Sequence, residues 1–152
     1  MNLPDIFNKE VSNTLVERIN KLTAESLPLW GKMNVSQMFA HCNVTYEMAY
    51  ENIHAKPNFL MSLILKFFVK NKVVSSVPYK KSIPTAPQFV MKETKNFEEE
   101  KARLVAYINK TQELGSDYFE NRENLSFGKL TAAEWNNMFY KHLDHHLCQF
   151  GV

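Results

Sequence analysis

Four glycines and six prolines are all that punctuate the 152 residues of this chain, and apolar residues recur at helical spacing in the stretches between them. A sequence so poor in turn-formers has few places to reverse, which argues against many short strands and for a handful of long helices. Two of those helices open with the same device. Trp30-Gly31-Lys32-Met33-Asn34 precedes one, and Phe127-Gly128-Lys129-Leu130-Thr131 precedes the other. Asn34 and Thr131 can each cap a helix, and Gln37 and Glu134, three residues on, complete a capping box.

The remaining elements follow from the same signals. A first helix is predicted from Pro4, tolerated in a first turn, to about Thr23, with Phe7, Val11, Leu15, Ile19 and Leu22 on its apolar face. A third should start after Asn96, with Glu99 three positions on, and stop at Gly115, burying Phe97, Leu104, Val105, Ile108 and Thr111. Between the second and third lies a long connection, roughly His54 to Thr94. It holds an apolar run from Phe59 to Val69, read as a buried or interface helix, and then Pro78, Pro84 and Pro87, which cannot stay helical. Connections this long are uncommon in compact domains and tend to be functional covers. No strand pattern is evident. The expected architecture is all-α, a four-helix bundle over residues 1–152 as a single domain.

Charge and cysteine content narrow the function. Lys and Arg total 18 against 16 Asp and Glu, a net charge of +2, and the pairs Lys70/Lys72 and Lys80/Lys81 are too short to mark a nucleic-acid surface. The run from Phe59 to Val69 is interrupted by Ser62 and Lys66 and falls short of the ~20 residues that span a bilayer. Neither nucleic acid nor membrane is therefore an expected partner. Cys42 and Cys148 are the only cysteines, and Met1-Asn2-Leu3-Pro4-Asp5 shows neither a basic nor an apolar leader, so free thiols and a cytoplasmic location are expected.

Three of the five histidines fall in Lys141-His142-Leu143-Asp144-His145-His146-Leu147. Residues four apart on a helix differ by only ~40° around its axis, so His142 and His146 share the face of Trp135, Met138, Phe139 and Leu143, and His145 falls just off it. Such a pair alone equally describes buried histidines satisfied by hydrogen bonds. A third histidine at matching depth adds weight. His41 lies ~10 Å into the second helix, and the midpoint of His142 and His146 lies ~9 Å from the end of the last helix. The depths coincide only if these helices run antiparallel. The second and third would then be parallel, which needs a long crossover, and the chain supplies one: an up-down-down-up bundle. His41, His142 and His146 are thus the candidate ligands of one divalent transition metal, with Zn, Ni or Fe suited to imidazole. On a helical wheel, however, His41 sits at the shoulder of its helix's apolar face. Gln149, one turn past His146 on the same side, reads equally as a hydrogen-bond partner for it and as a polar residue at a helix end. Cys42 reads as a small buried hydrophobe, Cys148 as pointing away from the site, and His54 as a surface residue.

The segments from Trp30 to Cys42 and from Gly128 to His146, with Ile83-Pro84-Thr85-Ala86-Pro87-Gln88-Phe89, resemble the DinB-like superfamily and, more closely, its branch called domain of unknown function 1569. The resemblance implies a bundle whose metal is held by one histidine of the second helix and two of the fourth, matching His41, His142 and His146. It implies a homodimer too. Characterised relatives include thiol-dependent transferases and isomerases, so a thiol cofactor is an expectation of the same origin.

The function expected is therefore a metal-dependent enzyme, a thiol-dependent transferase or a hydrolase acting on a small molecule. Three protein ligands leave a coordination position open, as catalytic zinc does. Tyr79 and the Ile83–Phe89 segment would cover the pocket. No general base is evident. The competing expectation is a non-catalytic dimeric metal-binding module.

Overall fold

A computed structural model describes residues 2–152. It is mostly helical, with α1 (Lys9–Asn20), α2 (Val35–Tyr50), α3 (Phe59–Ile64), α4 (Lys70–Val74), α5 (Phe97–Phe119) and α6 (Ala132–Gln149). A small antiparallel hairpin of β1 (Arg122–Asn124) and β2 (Gly128–Leu130) separates α5 from α6.

Both capping boxes form. Gln37 N donates to Asn34 Oδ1 (2.8 Å) and Asn34 N to Gln37 Oε1 (3.1 Å). Glu134 N donates to Thr131 Oγ1 (3.2 Å) and Thr131 N to Glu134 Oε2 (2.9 Å). Two backbone donors that a helix start leaves orphaned are thereby satisfied at each end.

Two helix boundaries depart from expectation, and one element is not expected at all. The first helix begins at Lys9 rather than after Pro4, because Asn8 is its cap, accepting from Glu10 N and Val11 N. Asp5 and Asn8 draw the preceding backbone into a turn, with Asn8 N on Asp5 O (3.0 Å) and Phe7 N on Asp5 Oδ1 (3.0 Å). Gly115 (φ +71°) breaks α5 where a stop is predicted, yet the chain takes another turn to Phe119. That turn places Phe119, fully buried, against Phe7, Trp135 and Phe139. The hairpin also corrects the strandless expectation: three residues per strand are too few for a period-two pattern to register.

Contacts fix the relative directions of the long helices. Phe39 meets Phe97, Tyr46 stacks on Tyr107 and Tyr50 bonds Thr111, so α2 and α5 run parallel. Thr45 bonds His142 while His41 faces His146, so α2 and α6 are antiparallel. Phe7 stacks on Phe119 and Arg18 pairs with Asp144, placing α1 antiparallel to α5 and parallel to α6. Between them lies an aromatic core in which Tyr46 is sandwiched between Tyr107 (5.5 Å) and Phe139 (4.8 Å). Offset aromatic pairs of this kind contribute about 0.5–1.5 kcal/mol each beyond area burial.

The connection from α2 to α5 is partly helical. α3 and α4 are joined by a π-helical turn, Leu65–Val69, whose Leu65 and Val69 pack with Val73 on the core. Lys141 Nζ donates to Lys72 O (2.9 Å) and Ser75 O (2.5 Å), Asn137 to Val74 O (2.9 Å), and Lys70 pairs with Glu134 (2.9 Å). The orphan carbonyls ending α4 are thus satisfied by α6. The opposite side of this element is exposed rather than buried. Among the described residues, no helix is long and apolar enough to cross a membrane.

Candidate metal centre

His41 in α2 and His142 and His146 in α6 come together, with one nitrogen from each lying within 4.8 Å of the others. His41 Nε2 and His142 Nε2 are 2.9 Å apart. The ring of His41 lies 4.6 Å from that of His146, centroid to centroid, and the two α6 rings are 4.9 Å apart. His41 sits on no shoulder here. Every residue of α2 from Val35 to Glu47 is buried except Gln37, so the helix has almost no solvent face over this stretch and its wheel position does not matter.

Each imidazole is held through its other nitrogen. His41 Nδ1 lies 2.8 Å from Phe89 O, and because a carbonyl only accepts, Nδ1 carries the proton and Nε2 is bare. His146 Nδ1 lies 2.8 Å from Gln149 Oε1, and Gln149 Nε2 donates to Trp30 O (2.7 Å), which fixes the amide so that its oxygen faces the ring. His146 is therefore also protonated on Nδ1. His142 Nδ1 meets Thr45 Oγ1 at 2.9 Å, a hydroxyl able to donate or accept. Without an ion, His142 must carry its proton on Nε2 to sit against the bare nitrogen of His41. With one, it can donate from Nδ1 to Thr45 instead.

Gly31 is required by this arrangement. Its φ is +85°, a conformation that strains other residues, and a Cβ there would lie 2.5 Å from Gln149 Nε2 and displace the amide that holds His146. Leu29 N donates to Gln149 O (2.7 Å), clamping the same segment to the end of α6.

Burial sets the electrostatics. Desolvation lowers His41, with the Phe89 carbonyl opposing, and lowers His142 well below the ordinary imidazole value, with His146 and His41 adding repulsion. Desolvation, then His41, pushes His146 down to about 3. The cluster is thus neutral at physiological pH, the state in which imidazole binds metal. Among the described residues no carboxylate joins it. Three neutral nitrogen donors fit Zn, Ni or Fe rather than Mg or Ca, and the closeness of the nitrogens suits ligands that each reach ~2.0–2.1 Å to a shared ion.

The rim comes from the connecting segment and α6. The Phe89 ring lies edge-on to His41 (5.3 Å) and His142 (5.9 Å), and Tyr79 to His142 (6.4 Å) and His145 (5.7 Å). His145 is half-buried off the cluster, edge-on to Trp30. Cys42 is buried against Met38, its thiol pushed up by desolvation, and Cys148 is exposed beside Arg18 and Asp144. His54 is not a free surface residue: it pairs with Glu47 (2.8 Å), which also holds Arg103 (2.5 Å). Phe89 and Tyr79 lie in the stretch expected to cover the pocket, but the roles of Thr45 and of the Trp30 and Phe89 carbonyls escape the sequence patterns. Thr45 could be suspected, four residues past His41, whereas the two backbone carbonyls leave no signal.

Fold and site together define a mostly helical protein carrying three histidines close enough to hold a metal ion. The chain belongs to the DUF1569 family, a family of proteins of unknown function, whose profile matches residues 7–151. No curated protein and no solved structure matches it.

Proposed function

We propose that the protein is a metal-dependent enzyme, a thiol-dependent transferase or a hydrolase acting on a small molecule in the cytosol. His41, His142 and His146 hold one divalent transition ion, Zn, Ni or Fe. The observation that carries this reading is that all three imidazoles converge while each has its remaining nitrogen tied, by Phe89 O, Thr45 or Gln149. Such outer partners orient ligands and fix their tautomers. A bound ion would supply Lewis acidity, able to acidify a water or thiol in its open position. The residues do the rest. Gln149 and Phe89 hold two bare Nε2 atoms inward, Thr45 lets His142 exchange tautomers, and the rings of Phe89 and Tyr79 limit access of water. On this reading α1, α2, α5 and α6 form an up-down-down-up four-helix bundle of the DinB-like kind, in a single domain.

Protein purified without an affinity tag should hold close to one equivalent of a transition metal, and His142→Ala should hold almost none. Thiol conjugation and hydrolysis should be screened with both proteins. A turnover that persists without His142 would exclude the metal mechanism, and a metal-free wild type that shows no thermal shift with Zn or Ni would exclude the site. A non-catalytic dimeric metal-binding module is the competing reading, favoured by the lack of a carboxylate among the clustered residues. It predicts metal without turnover.

A further inference from the structure

The segment joining α2 to α5 has an unusual charge. Between Glu51 and Glu93 there are seven lysines and no aspartate, glutamate or arginine, on a chain whose net charge is only +2. The same segment exposes a run of large apolar side chains. Phe59, Leu60, Met61, Ile64, Phe67 and Phe68 are each between 41% and 80% exposed, and Lys66 and Lys72 are exposed among them. This element is not a loose arm. Leu65, Val69 and Val73 pack on the core, and Lys141, Asn137 and Glu134 fasten its end to α6. A helix apolar on both sides is ordinarily buried on both, and here only the inner side is covered.

We propose that the outer face of Phe59–Val74 seats on an anionic lipid surface. Large apolar side chains enter the headgroup boundary, and the exposed Lys66 and Lys72 meet the lipid charge, while Lys70 is turned inward to Glu134. This requires no membrane-spanning segment, which is the only membrane role that the length of the run excludes. Charge complementarity favours lipid over a second copy of the chain. A two-fold interface sets a patch against itself, which would bring the exposed Lys66 and Lys72 of one copy toward those of the other, with no acid in residues 52–92 of either to pair them. The inference does not depend on a metal at the histidines.

The full-length protein should be mixed with vesicles of phosphatidylcholine alone and of phosphatidylcholine with about a third phosphatidylglycerol, and binding measured by flotation. Binding to the anionic vesicles is expected, weakening with added salt. Phe67→Ser with Phe68→Ser, and separately Lys66→Glu with Lys72→Glu, should each lower it by about tenfold or more, with melting curves unchanged because all four residues are exposed. Three results would overturn the proposal: no binding to anionic vesicles, binding that survives both double substitutions, or a concentration-dependent dimer in sedimentation that the phenylalanine substitutions dissolve. The last would make this face an interface between copies.

Discussion

Gln149 is joined at once to His146 and to the carbonyl of Trp30, so one amide transmits the position of the α2 entry to the cluster. Replacing it with Leu should lower metal affinity by about 10- to 100-fold, the usual cost of losing an outer partner. Titration with a chelator-buffered metal checks this. Thr45→Val should act in the same direction through His142, whose Nδ1 would lose its partner. Protonation gives a second test. His41, His142 and His146 are all lowered in the folded protein. Below ~6.5 the unfolded chain therefore binds protons that the metal-free folded chain refuses. Their contribution to stability is complete above ~6.5 and is lost as pH falls toward the depressed value of His146, about 3. Urea unfolding of metal-free protein between pH 7.5 and 4.5 should show this decline, and His146→Leu should make it shallower. At this scale His142, His146 and Gln149 are legible from spacing, because i,i+3 and i,i+4 relations are local, whereas His41, 101 positions before His142, is reached only by matching its depth across two opposite-running helices. The carbonyl of Phe89 is not, because it arrives from 48 positions away.

Among the elements, the two capping boxes are the boundaries most plainly written in the sequence, since cap and partner lie three residues apart. Thr131→Ala should destabilise the protein by about 1 kcal/mol, read as a lower denaturant midpoint. Gly115 is legible only in part. Glycine marks a break, and the break exists at φ +71°, but the extra turn to Phe119 is decided by tertiary burial that no local signal records. Gly115→Ala meets no neighbour within 4 Å, so its cost should be purely conformational, about 1–3 kcal/mol for a side chain held at φ +71° and ψ 172°. The short hairpin was invisible for lack of length, although Asn124, whose Oδ1 accepts from Ser126 N and Phe127 N, supplies its turn chemistry.

For the molecule as a whole, the chain order of the helices matters less than where the connection from α2 to α5 returns. A ligand that binds only the folded state stabilises it by mass action, so Zn or Ni at a hundredfold excess over its dissociation constant should add about 2.7 kcal/mol. Calorimetry should show the gain in the wild type and not in His142→Ala. The hydrogen bond from His41 to Phe89 gives that gain a direction. Whatever grips His41 on one side also strengthens its hold on the backbone beyond Pro87, and by reciprocity a strand of chain that peels from His41 must loosen the grip. An ion held by the three histidines would then share one equilibrium with closure of residues 87–89, and deuterium uptake at Val90, whose amide closes that turn onto Pro87 O, should slow when metal is added and quicken when it is stripped.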